Sequence, residues 1–149
     1  VALEMTQPVF TDKGGREMSL MPRILVIDDE PDITAYFCTL LSENGFIANS
    51  ANSADDGLGE LEEGRPDLIL LDLLMPLKTG INLFNKIRKD ERYKSIPIII
   101  VSGIHDRFSK DYKAFFEGLR HGKPCAFVEK PIKPEDLLRL VNQTLGLTN

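Results

Sequence analysis

Ile24-Leu25-Val26-Ile27-Asp28-Asp29-Glu30-Pro31 is a short apolar run, rich in β-branched residues, that ends in three acids and a proline. A run of this length bounded by charge reads as a strand buried on both faces, as in a parallel sheet. Pro31 falls where the first turn of a helix tolerates proline. Ile33, Tyr36, Phe37, Leu40 and Leu41 then recur at helical spacing, and Asn44-Gly45 closes the helix. The stretch therefore predicts one strand–helix unit.

The same punctuation continues outward. Phe46 to Ala48 predicts a second strand, and Ser53 an N-cap before Ala54, Leu58 and Leu61, with Gly64 as the stop. Leu68-Ile69-Leu70-Leu71 predicts a third strand, again ending in acid at Asp72. A loop over Met75–Gly80 leads to a helix marked by Leu83, Phe84 and Ile87. Ile96 to Val101 predicts the fourth strand, ending in Ser102-Gly103. Tyr112, Phe115, Phe116 and Leu119 mark a fourth helix stopped near Gly122. Ala126-Phe127-Val128 predicts the fifth strand, before Lys130-Pro131, and Leu137, Leu138, Val141 and Leu145 a last helix. Strands alternating with helices predict an α/β, doubly wound, five-stranded parallel sheet with helices on both faces.

Composition excludes several classes. The chain has 149 residues, about one domain's worth. With 42% hydrophobic and 28% charged residues it is not a low-complexity chain. Its apolar runs fall far short of the roughly 18 residues a membrane span needs. No secretory pattern opens it, so a cytoplasmic protein with no membrane contact is expected. Cys38 and Cys125 have neither CxxC spacing nor a His pair nearby, which argues against a disulfide framework or a zinc site. A net charge of −5 without a dense Lys/Arg stripe argues against direct nucleic-acid binding. Residues 1–21 have no clear period and read as an N-terminal extension or leader, with one domain over 22–149.

The informative residues stand at predicted strand ends: Asp28-Asp29, Asp72, Ser102 and Lys130. In a parallel α/β sheet, ligands bind beyond the carboxyl ends of the strands. Three carboxylates gathered there repel one another unless a cation intervenes, and hard oxygen ligands with room for water suit Mg²⁺. A hydroxyl and an ammonium add donors for a phosphoryl group.

Taken together, Val26-Ile27-Asp28-Asp29-Glu30, Leu71-Asp72-Leu73-Leu74-Met75-Pro76 with Gly80, Val101-Ser102-Gly103 and Glu129-Lys130-Pro131 resemble the receiver domain of two-component response regulators. The resemblance spans roughly residues 22–147 and implies a flavodoxin-like (βα)5 fold. It implies a phosphoacceptor that takes a phosphoryl group from a histidine kinase or phosphotransfer protein onto Asp72. Asp29, Asp72 and the Leu74 carbonyl would hold Mg²⁺ directly, and Asp28 through a water. Lys130 would contact the acyl phosphate, Ser102 would reorient toward it, and Phe127 would occupy the aromatic switch position. A cis bond before Pro131 is also implied. The face made by the fourth helix, fifth strand and fifth helix (α4-β5-α5) would signal to a downstream effector, with homodimerisation left open. The implied activity is signalling, with Mg²⁺-dependent self-phosphorylation and autodephosphorylation, rather than turnover as an enzyme.

Two departures from the family pattern matter. Ser102 to Lys130 is several residues longer than in compact receivers and carries Phe108, Phe115 and Phe116. The usual lead-in to the fifth strand is replaced by Arg120-His121-Gly122-Lys123-Pro124-Cys125-Ala126. His105 and His121 read as surface loop residues. Leu74 and Ile104 are bulky and apolar where the family flanks the path of a hydrolytic water, which predicts slow loss of the phosphoryl group. The leading reading is a stand-alone regulator. The alternatives are a receiver fragment of a larger transcription factor or hybrid kinase, and an aspartyl-phosphate phosphohydrolase. The last is disfavoured because Asp28-Asp29 lacks the Asp-x-Asp spacing. No GxGxxG or GxxxxGK[ST] occurs to cradle a nucleotide.

Overall fold

In the computed structural model, residues 10–11, 17–18, 21–103 and 114–147 are described. Five strands form one sheet: β1 (Arg23–Ile27), β2 (Ile47–Ala51), β3 (Leu68–Leu71), β4 (Ile98–Gly103) and β5 (Ala126–Lys130). Their order is β2-β1-β3-β4-β5, and every pairing is parallel. Helices α1 (Pro31–Ser42), α2 (Ala54–Glu63), α3 (Thr79–Lys89) and α5 (Pro134–Thr144) surround it, and residues 114–117 are helical and form α4. Outside this sheet, Phe10–Thr11 and Glu17–Met18 make a short antiparallel ladder.

The continuous apolar runs hide a period of two. Leu25, Ile27, Ile69, Leu71, Ile98 and Ile100 face a core closed by Leu61 of α2 and Leu83, Phe84 and Ile87 of α3. Their neighbours Ile24, Val26, Leu68, Leu70, Ile99 and Val101 face Phe37 and Leu41 of α1 and Leu137 and Val141 of α5. Successive strand residues point to opposite faces, so a strand covered on both sides must be apolar throughout. Burying each of Leu68, Ile69, Leu70 and Leu71 contributes about 1.5–3 kcal/mol. That burial holds the next residue, Asp72, where a lone carboxylate would not otherwise stay.

Helix ends follow the sequence signals. Pro31 sits in the first turn of α1. Ser53 caps α2, its Oγ accepting from the Asp56 amide at 3.0 Å, and Gly64 is the C-cap. The strand bounds differ from expectation in three places. The second strand begins at Ile47 and runs on through Asn49 and Ser50, pairing with all of β1. As an edge strand it is mostly exposed, so its latter half carries no apolar signal, while buried Phe46 lies just before it. β4 starts at Ile98, after Pro97, which has no N–H for a ladder. It then continues through Ser102 and Gly103, which pair with Glu129 and Lys130, so Lys130 is part of β5. The expected loop over Met75–Gly80 is shorter, because Pro76–Lys78 form a 3₁₀ turn and α3 starts at Thr79.

The unusual lead-in to β5 is tied down by Arg88 of α3. Its guanidinium donates to the carbonyls of Gly122 at 2.7 Å, Lys94 at 3.0 Å and Ile96 at 2.7 Å. It also lies 5.2 Å from the centre of the Phe84 ring. Gly122 is required here: its φ is +72°, and a Cβ would sit 2.8 Å from Arg88 Cδ. His121 is exposed, as expected. Ile104, His105, Phe108 and Tyr112, like most of residues 1–21, lie outside the described residues.

Two stability predictions follow from these contacts. A Cβ on Gly80 would lie 2.6 Å from both the Asp72 carbonyl oxygen and Leu73 Cα. Because both are backbone atoms, Gly80→Ala is expected to cost about 1–3 kcal/mol in urea unfolding. Arg88→Met keeps the apolar stem but leaves three carbonyls without their donor. It is expected to lower stability by about 1–3 kcal/mol, read from the same denaturation curve.

Candidate functional site

The register of the sheet decides what meets at its carboxyl edge. β1 and β3 are neighbours, so Asp28 and Asp72, each the residue after its strand, emerge side by side. The Asp72 amide donates to the Ile27 carbonyl at 2.9 Å, and the Asp28 amide to the Ala51 carbonyl at 3.1 Å. Asp28 is 2% exposed and Asp72 6%, whereas Asp29 is half-buried. Carboxylate oxygens of all three lie within 4.8 Å of one another.

Donors surround this cluster. The Asp72 Oδ1 accepts from the Ser102 hydroxyl at 3.1 Å and from the Leu74 amide at 3.1 Å. Its Oδ2 faces Lys130 Nζ at 3.8 Å and accepts no hydrogen bond among the described residues. Lys130 Nζ instead makes a close ion pair with Asp28 Oδ2. Asp28 Oδ1 accepts from the Glu30 amide at 3.0 Å, which fixes the turn into α1. The Lys130–Pro131 peptide is cis. Burial raises the Asp72 carboxyl above its ordinary value, and the Asp28 charge adds to this; Lys130, the Leu74 amide and the Ser102 hydroxyl oppose it.

Among the described residues, one ammonium, paired with Asp28 and 3.8 Å from Asp72, answers three carboxylates. The excess negative charge and the all-oxygen donor set fit a hard dication such as Mg²⁺. The arrangement also presents one carboxylate oxygen, Asp72 Oδ2, toward a cation and away from its own hydrogen bonds. Such an oxygen is free to meet an electrophile carrying anionic oxygens.

The structure thus brings together Asp28, Asp29, Asp72, Ser102 and Lys130 from three neighbouring strand ends and β5. Leu74 is half-buried two residues after Asp72. Phe127 is half-buried on the α2–α3 face of the sheet, its ring 6.4 Å from that of Phe116. Two residues at the site carried no sequence signal. Leu77 has φ 60° and is 91% exposed beside a cleft that Asp29, Pro76 and Thr79 also line. A branched side chain in the left-handed region gives no local pattern to read. Asn52, at the end of β2, donates to the Asp28 carbonyl. Its position next to a strand end was the only available hint.

Known proteins resemble this chain in sequence and fold. Protein PilH of Pseudomonas aeruginosa is 30% identical over 126 residues, covering 85% of this chain and 99% of PilH. The phosphate regulon transcriptional regulatory protein PhoB of Escherichia coli is 28% identical over 123 residues, 83% of this chain. The chain spans about half of PhoB's length, 51%. Among solved structures, a CheY-like response regulator receiver domain protein from Methanospirillum hungatei superposes with a TM-score of 0.71 at 25% identity. It covers 85% of this chain and 94% of that one. The sequence profile of the response regulator receiver domain matches residues 24–142. By that match, and by its five parallel strands, the chain belongs to the response regulator receiver domain family.

Proposed function

We propose that Asp72 is the phosphoacceptor of this receiver, charged by a phosphohistidine on a sensor histidine kinase or phosphotransfer protein. The observation that carries this is the convergence of Asp28, Asp29, Asp72, Ser102 and Lys130 on one edge of the sheet. Asp72 Oδ2 attacks phosphorus, the P–N bond to the donor imidazole breaks, and the imidazole leaves with the electron pair. An acyl phosphate on Asp72 results. Asp29, Asp72 and the Leu74 carbonyl would hold Mg²⁺, with Asp28 reaching it through a water. The metal, when bound, supplies positive charge to the phosphoryl oxygens. Lys130 supplies a further charge, reached from its present pairing with Asp28.

The output follows from what the phosphoryl group displaces. Ser102 now donates its hydroxyl proton to Asp72 Oδ1. A phosphoryl oxygen is a stronger, charged acceptor, so the hydroxyl turns toward it. That rotation vacates space at the end of β4, and Phe127 on the adjacent strand moves inward. The face of α4, β5 and α5 is thereby offered to an effector in a second conformation. Phosphorylation shifts the balance only because the two states bind the phosphoryl group differently. The chain acts as a signalling device and not as a turnover enzyme, and it returns to rest by autodephosphorylation. Leu74 cannot orient a hydrolytic water by hydrogen bonding, which favours a long-lived phosphorylated state.

Two measurements test this reading. Incubation with acetyl phosphate and Mg²⁺ is expected to add one phosphoryl mass to the wild type and none to Asp72→Asn. Equal labelling of the variant would overturn the assignment. The second uses the raised Asp72 carboxyl. A folded-state value above the unfolded one, about 4, means the ionised form is disfavoured in the fold. The wild type thus loses stability as pH rises through the folded value, and regains it as pH falls. With chelator present, Asp72→Asn is expected to melt higher than the wild type at pH 7. The gap should close as the pH falls toward 4. A gap that is absent at pH 7, or that widens in acid, contradicts the burial argument.

A further inference from the structure

The peptide that joins Asp28 to Asp29 is held from outside its own turn. Asn52 Nδ2 donates to the Asp28 carbonyl at 2.8 Å and to Thr34 Oγ1 at 3.0 Å. Thr34 Oγ1 donates its one proton to the Pro31 carbonyl at 3.0 Å, so its lone pair is what Asn52 meets. Both of Asn52's partners therefore act as acceptors, which fixes the amide orientation. Thr34 is buried in α1 and Asn52 is half-buried at the end of β2. Asn52 also lines the cleft that Asp29 borders.

The consequence for the acids is geometric. Asp28 is already immobilised twice, by Lys130 on one oxygen and by the Glu30 amide on the other. Asp29 has no comparable hydrogen bond to its side chain among the described residues. Its direction depends on the plane of the Asp28–Asp29 peptide, and the Asn52 bond sets that plane. Groups that orient metal ligands without touching the metal commonly change affinity by about 10–100-fold.

We propose that Asn52, braced by Thr34, is a positioning residue for divalent-cation binding, acting through the Asp28–Asp29 peptide on the Asp29 carboxylate. This rests on the phosphoacceptor reading above and adds an anchor just past the end of β2 to a site otherwise built from β1, β3, β4 and β5. Losing the bond frees the peptide to rotate. Asp29 then samples directions in which it cannot share a cation with Asp72, and the cation binds more weakly. Once the cation is bound, Asp29 is held again and the chemistry at Asp72 proceeds as before.

The test is a Mg²⁺ titration of the full chain followed by amide chemical shifts, for wild type, Asn52→Ala and Thr34→Val. Metal-free thermal midpoints and acetyl phosphate labelling at saturating Mg²⁺ are measured alongside. Asn52→Ala is expected to raise the Mg²⁺ dissociation constant about tenfold. Thr34→Val, which preserves volume, should shift it less and in the same direction. Both should recover the wild-type labelling rate once Mg²⁺ saturates. An unchanged dissociation constant with a lowered thermal midpoint would make Asn52 a merely structural residue and overturn the proposal. So would a labelling rate that stays depressed at saturation. A wild type that takes up neither Mg²⁺ nor phosphoryl would overturn the phosphoacceptor reading itself, and this inference with it.

Discussion

The ion pair between Lys130 and Asp28 joins residues 102 apart in sequence and spans two intervening strands. Much of the site depends on it. A buried carboxylate without a partner is strongly destabilising, and so is a buried ammonium. The pair allows both to sit at the edge of an otherwise apolar sheet. It also leaves the charges unbalanced, because Asp29 and Asp72 remain within reach of Asp28 with no second cation beside them among the described residues. One of three negative charges is thus neutralised, and the remaining two invite a dication. The long Lys130 stem makes this reach feasible: the charge sits at the far end of four methylenes, past β4 and over the carboxyl ends of β1 and β3.

The loops around this charge are held by backbone contacts rather than by regular structure. Gly80 lets the start of α3 rest directly on the Asp72–Leu73 backbone, so the position of Asp72 is coupled to the packing of that helix. Leu77 keeps a left-handed conformation while almost fully exposed, a cost of about 1–2 kcal/mol with no burial to offset it. Strain of this kind at a functional edge persists only when the surroundings fix it. Here Met75 is buried on one side of the turn and Gly80 is clamped on the other. On the opposite side of the molecule Arg88 does a similar service with three hydrogen bonds to carbonyls, closing the atypical segment before β5.

Much of this could be read before any coordinates. The central strands announced themselves because burial on both faces leaves no room for polar residues, and the acids that end them stood out against that background. Ser53 and Gly64 marked α2 because caps are local chemistry. β2 was read short because an edge strand pairs on one side only and tolerates Asn49 and Ser50. The Leu77 conformation, the Arg88 clamp and the Asn52 bridge were invisible for a common reason. Each depends on partners 6 to 34 residues away, or on a backbone angle, and neither leaves a periodic trace. Phe127 stands between: its place on β5 was legible, while its contact with Phe116 required the fold.

The central claim is that three converging carboxylates and one lysine form a site completed by a dication. The most direct measurement is the thermal midpoint of the wild type as Mg²⁺ rises, at ionic strength held constant with NaCl. A ligand that binds only the folded state stabilises it by RT ln(1 + [L]/Kd), about 2.7 kcal/mol at a hundredfold excess over Kd. The account predicts a midpoint that climbs with Mg²⁺ along that curve in the wild type and stays flat in Asp29→Asn. A midpoint indifferent to Mg²⁺ in the wild type, or an equal climb in the variant, would contradict it.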